Sequence, residues 1–444
     1  MKWMIAMALM IAFSGEAAEQ VVGYYPSWIR YNTPATKIRY QDLTTIAHAF
    51  IWPKADGSLD MYSDLLYPEM NTRAHAAGVK VIVSIGGWGQ CDGYPPMAAS
   101  AATRKTFIDN VIAFMQKHGY DGIDLDWEYP SGTAQRKNFT LLAQEFRAAF
   151  DAVNPAWTIS FVVPSGSYSG NNFDYTALRG LISWIGCMTY DIHGAWTAHA
   201  GHNSPLHAPA NEPEGSIDTA VGYLLGMGIP REKLLIGVPF YGRQFAASRL
   251  YGPASGGEEI TYAKLMTAVK PDWTRQWDDL AKVPYYQDGA RTLFITYDDT
   301  ASVRYKCDYV RDNKLGGLII WALGQDNLGN TQPLCQTVGD HLTRNTAVVA
   351  TAEEARPEGY DLLSCYPNPC NQMVTVRFYL AKAGEAVLHL YDVTGREIRL
   401  VEVGRREAGW YELPLSGEGL ASGVYLLRMT ATGHSATGKF TLVR

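Results

Sequence analysis

Between Val21 and about Leu342 the chain repeats one arrangement eight times: a short apolar run followed by a longer amphipathic segment. The strand candidates are Val21 to Tyr25, Thr45 to Ile51, Lys80 to Ile85, Gly122 to Trp127, Thr158 to Val163, Ile182 to Tyr190, Leu234 to Pro239 and Gly317 to Trp321. Strands apolar on both faces need helices on the outside. The intervening stretches supply them, for Thr103 to His118 and Gln135 to Val153 space their apolar residues three and four apart. Eight such units predict an α/β fold, a closed (β/α)8 (TIM) barrel rather than an open sheet, with its chemistry at the carboxyl ends of the strands. From about 244 to 293 the spacing before the last strand is too long for a simple loop, which predicts a small inserted α+β subdomain that deepens a groove.

The two ends read differently from this barrel, whose expected limits are 19–343. Met1-Lys2, an apolar run from Trp3 to Phe13 and then Ser14-Gly15-Glu16-Ala17-Ala18 read as a secretory signal peptide, 1–18, cleaved near Ala17 or Ala18. The apolar run is too short to cross a bilayer and none of comparable length follows, so no transmembrane anchor is expected. Residues 344–359 are rich in Ala, Thr, Val, Glu and Pro without periodicity and read as a linker. From 360 to 444, alternating stretches such as Val374 to Leu380, Ala386 to Tyr391 and Val424 to Met429 lie between Gly-rich turns, predicting an all-β sandwich. The six cysteines are spaced too irregularly for a zinc signature. Cys365 and Cys370 are close enough to bridge, whereas Cys187 reads as a buried thiol. A net charge of −6 excludes nucleic acid as the main partner, since phosphate binding needs a clustered basic face.

The chemistry-bearing segment is Tyr120-Asp121-Gly122-Ile123-Asp124-Leu125-Asp126-Trp127-Glu128-Tyr129-Pro130. Side chains alternate along a strand, so Asp124, Asp126 and Glu128 share a face. Carboxyls crowded in this way cannot all ionise, and at least one pKa rises until the group serves as a general acid near neutral pH. Glu128, nearest the carboxyl end of the barrel, is the candidate acid. Calcium loops place Gly, Asn or Ser between their acids, but here Ile, Leu and Trp intervene, so no metal is expected at the ladder. His193, His199, His202 and His207 lie in loop sequence without a zinc signature and are read as non-ligating. Trp28, Trp52, Trp88, Trp196 and Trp321 recur at strand ends, where flat aromatic faces suit sugar rings.

On these residues the region from Val21 to Leu342 resembles the chitinases of glycoside hydrolase family 18. The Asp-x-x-Asp-x-Asp-x-Glu motif is complete as Asp121, Asp124, Asp126 and Glu128. Gly23-Tyr24-Tyr25, Ser84-Ile85-Gly86-Gly87-Trp88, Met188-Thr189-Tyr190-Asp191, Pro239-Phe240-Tyr241-Gly242-Arg243 and Gly316-Gly317-Leu318-Ile319-Ile320-Trp321-Ala322 follow in register, with His202-Asn203-Ser204-Pro205-Leu206 and Tyr297-Asp298-Asp299 also similar. The resemblance implies a substrate-assisted retaining hydrolysis of β-1,4 bonds between N-acetylglucosamine units of chitin, without a cofactor. In that scheme Glu128 is acid and then base, Asp126 holds the acetamido group, Asp124 shares its proton, and Tyr190 supplies a hydroxyl. Tyr24 and Ser84 steady the inner acid, Trp321 forms the floor under the reacting sugar, and Phe50, Gly87, Trp88, Met188, Asp191, Tyr241 and Arg243 complete the substrate groove. Asp121, of opposite parity, reads as structural. An endo-β-N-acetylglucosaminidase acting on glycoprotein glycans and a non-hydrolytic chitin-binding lectin are the competing readings.

The end of the chain, with Tyr366-Pro367-Asn368-Pro369, Leu390-Tyr391-Asp392-Val393-Thr394-Gly395-Arg396, Gly423-Val424-Tyr425-Leu426 and Lys439-Phe440, resembles a type IX secretion sorting domain. It implies the type IX machinery as a partner and export to the exterior or surface of a Gram-negative bacterium; the chain is expected to be a monomer. A carbohydrate-binding sandwich is the alternative.

Overall fold

Branched side chains stiff at χ1 fit a pleated surface, and Val and Ile fill the inner strands of the barrel accordingly. The computed structural model describes residues 19–209, 212–343 and most of 364–443. The expected signal peptide, 1–18, and linker, 344–359, lie outside the described residues. The barrel strands are Gln20–Pro26, Thr45–Pro53, Lys80–Gly86, Gly122–Asp126, Thr158–Pro164, Trp184–Met188, Leu234–Pro239 and Gly317–Trp321. Each pairs in parallel with the next, and the last pairs with the first, so the sheet closes.

Alternation then sorts the side chains. Outward-facing Val81, Val83, Ile123 and Leu125 pack beneath Phe107 of helix Ala101–His118 and Phe139, Phe146 and Phe150 of helix Gly132–Val153. Inward-facing Val22, Ala47, Ile82, Val162, Trp184, Leu235 and Ile319 plug the lower interior. The same inward parity presents Tyr24 and Ser84 one step above this plug, with Asp124 paired beside Ser84 and Ser160 beside Asp124. Helix Ala101–His118 starts where the Ser100 hydroxyl accepts the Thr103 N–H, and it ends at Gly119, whose φ of 71° is cheap only for a residue without Cβ.

The sixth strand is shorter than the apolar run from Ile182 to Tyr190 suggests. The Thr189 hydroxyl donates to the Gly237 carbonyl and accepts the Gly237 N–H, both at 2.8 Å, so a side chain takes over the ladder and the strand ends at Met188. The insertion is a five-stranded antiparallel sheet in the order Ser255–Thr261, Tyr241–Ala246, Leu293–Thr296, Val283–Gln287 and Thr274–Asp278, with helix Tyr262–Ala268. It reaches beyond 244–293 because its entry and exit strands pair with each other, and Tyr241 continues the apolar sequence of the preceding barrel strand.

The described residues from Ser364 onward form a second unit. Its described strands make a three-stranded and a four-stranded antiparallel sheet, with Val376, Phe378, Leu388, Leu390, Leu427 and Phe440 in a shared core. Cys365 and Cys370 are free thiols rather than a bridge, and Cys187 is buried. No helix among the described residues is long and apolar enough to cross a membrane.

Candidate active site

Asp124 and Asp126 project inward from the strand Gly122–Asp126, and Glu128 follows just past its end. Asp124 is fully buried and satisfied by three hydroxyls: Tyr24 Oη at 2.8 Å and Ser84 Oγ at 2.9 Å donate to Oδ2, and Ser160 Oγ at 2.8 Å donates to Oδ1. Burial raises its pKa, and the three hydrogen bonds oppose that rise. Asp126 is also buried, but its Oδ1 has no partner among the described residues. Burial, then the neighbouring charges of Glu128 and Asp124, push its pKa well above the usual carboxylate range. Burial also carries Glu128 from 4.5 to about 7, with the charge of Asp191 adding to the rise and hydrogen bonds from Tyr129 and the Trp88 backbone working against it.

These groups open into a cleft of about 780 Å³. Tyr24, Asp126, Glu128, Met188, Tyr190, Asp191, Tyr241, Arg243 and Trp321 line it, as do Phe50 and Trp88. Trp321 lies on Phe50 with ring centroids 5.9 Å apart and tilts against Tyr24 at 5.8 Å, making an apolar floor. Trp28, Trp88 and Trp196 are 48%, 80% and 60% exposed, the arrangement of a rim waiting for a ligand rather than of core packing. Trp52 does not line the cleft but packs edge-on against Tyr62, which does. Tyr190 is held against the cleft because Gly237 leaves room for its ring, where an added Cβ would sit 2.7 Å from Cε1. Its hydroxyl stays protonated, its pKa raised by burial and then by Asp126 and Glu128.

Asp191 is committed elsewhere: Oδ1 accepts from Tyr241 Oη at 2.7 Å and from Arg243 Nε at 3.0 Å. Arg243 in turn lies 5.0 Å over the Trp196 ring. Ser84 and Gly87 support the site from behind, Ser84 on Asp124 and Gly87 against Phe50, whose ring would sit 2.7 Å from an added Cβ. Asp121 is outside the barrel interior, accepting the Val81 N–H at 2.7 Å and facing His75 at 2.8 Å.

Several groups carry no sequence signal. Ser160 is a lone hydroxyl in an apolar strand, visible only once its neighbour is known to be Asp124. Cys91 Sγ accepts the Glu128 N–H at 3.2 Å and fixes the backbone beside the acid. Glu259, from the insertion, lines the cleft with a pKa raised by burial and is held by Gln325 Nε2 at 3.0 Å.

A parallel barrel with a proton-holding acid at its mouth, a buried carboxylate beside it and aromatic walls defines a glycoside hydrolase. The chain belongs to glycosyl hydrolases family 18, whose model matches residues 20–326. Residues 364–443 match the secretion system C-terminal sorting domain. Chitinase A1 of Niallia circulans is 34% identical over 286 residues, covering 56% of this chain and 41% of that protein. Chitinase 1 of Aphanocladium album is 28% identical over 345 residues, covering 69% of this chain and 82% of that one. Among solved structures, the Ostrinia furnacalis Group IV chitinase in complex with allosamidin superposes with a TM-score of 0.66 at 29% identity, covering 73% of this chain and 99% of that chain.

Proposed function

We infer that the protein is a secreted chitinase that cleaves β-1,4 bonds between N-acetylglucosamine units by a substrate-assisted retaining mechanism. The observation that carries this reading is the buried Asp126 Oδ1 without a partner beside a carboxyl that holds its proton to about pH 7. A buried acceptor left open is costly unless a ligand fills it, and an acetamido N–H is a donor of the required kind.

Glu128 donates its proton to the glycosidic oxygen as the bond to the anomeric carbon breaks. The acetamido carbonyl oxygen of the same sugar attacks that carbon and forms an oxazolinium ring. Asp126 accepts the acetamido N–H, which orients the carbonyl and offsets the positive charge that develops on the ring, while Tyr190 donates to the acetamido oxygen. Glu128, now a carboxylate, takes a proton from water as it opens the ring with retention. The other cleft carboxylates favour the substrate as nucleophile, because Asp191 is tied to Tyr241 and Arg243 and Glu259 to Gln325. Relatives named as chitinases, one of them seen with allosamidin, support the same substrate class.

Paired substrates test the mechanism. Oligomers of N-acetylglucosamine should be cleaved, whereas de-N-acetylated oligomers of equal length should resist by several orders of magnitude; equal rates would overturn the reading. The sorting-domain match supports export by the type IX route in a Gram-negative bacterium, with the signal peptide directing the first step. Removal of residues 360–444 should then leave the barrel in the periplasm, and unimpaired release into the medium would count against that route.

A further inference from the structure

The segment that follows the sixth barrel strand folds back so that Ile192 N–H bonds the Asn203 carbonyl at 3.1 Å, and within this loop two histidines meet a glutamate from beyond it. His193 Nε2 lies 3.2 Å from His199 Nε2 and 3.2 Å from Glu212 Oε1, and His199 Nε2 lies 3.3 Å from the same oxygen. A zinc ion with bonds of about 2.0–2.1 Å and tetrahedral angles sets its donor atoms roughly 3.3 Å apart. The three donors thus already form one face of such a tetrahedron.

Counting protons shows why hydrogen bonding alone does not account for the triangle. His193 Nδ1 is 2.9 Å from the His202 carbonyl, which only accepts, so Nδ1 carries the proton and Nε2 of the neutral ring offers a lone pair. An ionised Glu212 also offers only lone pairs, and the Glu214 N–H that donates to its Oε1 at 3.4 Å comes from outside the triangle. One proton, on His199, then remains for three contacts, and His193 faces Glu212 acceptor to acceptor. A cation between them turns all three contacts into bonds. The His193 side chain is 0% exposed and Glu212 only 7%, so water screens this clash poorly. Tyr251 packs on both imidazoles, with centroids at 6.2 and 6.5 Å, and its buried hydroxyl has no partner among the described residues.

We propose that His193, His199 and Glu212 bind one divalent transition-metal ion, zinc in the first place, as a structural clamp on the groove wall. Two imidazoles and a carboxylate suit zinc, three protein ligands leave a fourth position to water, and the His202 carbonyl fixes the His193 tautomer from behind. The clamped loop carries Asp191 and Trp196 into the cleft, and Ala200 and Tyr251 stitch it to the insertion through backbone hydrogen bonds of 2.9 Å. The sequence hides this arrangement because the three ligands are spread through loop sequence at no motif spacing.

The test uses the full, tag-free chain, dialysed against metal-free buffer and then offered zinc alone. Mass spectrometry for metals should find about one zinc per chain, and cobalt in its place should give the visible bands of a tetrahedral site. Zinc should raise the Tm of chelator-treated protein by roughly 5 °C, with no such rise in a His199→Ala/Glu212→Gln variant whose circular dichroism matches the parent. His199→Ala alone, which alters a partly exposed side chain, guards against misfolding of the double variant and should also lose the ion. Failure of the parent to hold zinc or to respond in Tm would overturn the proposal and leave a proton on His193 as what holds the triangle. Equal uptake by parent and double variant would overturn it too, by placing the ion elsewhere.

Discussion

Replacing Glu128 with Gln separates the acid's electrostatic burden from its catalytic use. Burial lifts this carboxyl from 4.5 to about 7, which corresponds to about 3 kcal/mol between its two protonation states. Because the folded pKa lies above the unfolded one, the stability that this proton contributes is complete below pH 4.5 and is lost as pH rises through about 7. Gln has no proton to lose, and it also relieves Asp126 of one of the charges that raise its own pKa. The variant should therefore gain on the parent by up to about 3 kcal/mol as pH rises from roughly 4.5 to 7 and hold that lead to about pH 9, seen as a Tm advantage of a few degrees that grows to about pH 7 and then levels off. Thermal melts of both proteins across this range, followed by tryptophan fluorescence, read the difference directly. In the parent, kcat/KM should fall about tenfold per pH unit above about 7, because the acid form is then depleted. Parallel Tm profiles for the two proteins, or activity that holds steady to about pH 9, would refute the idea that Glu128 is a buried, proton-holding acid.

Other perturbations test neighbouring parts of the account. Asp126→Asn removes the charge opposite the reacting acetamido group and should lower kcat about 10²–10³-fold in oligomer assays, with a Tm no lower than the parent's because the buried carboxyl is raised well above its usual range. Trp321→Ala removes the floor stacked on Phe50 and should raise KM about tenfold while kcat falls less, checked by steady-state kinetics on soluble oligomers. Lys306→Met leaves Asp298, 2.7 Å from Nζ and fully buried, without its cation; calorimetry should show a loss of about 3–5 kcal/mol, partly restored by Lys306→Met/Asp298→Leu.

The legible parts of this chain are those written in a local period. The acid ladder stands out because strand alternation puts Asp124 and Asp126 on one face, and the barrel because apolar runs recur at βα spacing. What escaped depends on distance in sequence. Ser160 is 36 residues from Asp124, and only closure of the barrel makes it the third hydroxyl on that carboxylate. Cys91 reaches the Glu128 backbone from 37 residues away, through a turn whose course nothing in its own neighbourhood dictates. The sixth strand ends short of its apolar run for a related reason, since Tyr190 continues that run while the partner that ends the ladder, Gly237, lies on another strand. The histidine and glutamate triangle is the extreme case, loop residues brought together by a fold-back with no periodicity to announce it.

Proton NMR during the first minutes of N-acetylglucosamine oligomer cleavage tests the central claim most directly, since it reads the anomer before mutarotation mixes the products. Substrate-assisted retention predicts that the β-anomer appears first and the α-anomer follows at the mutarotation rate. An initial α-anomer would contradict the account, because water would then have attacked directly and the acetamido group would have played no part.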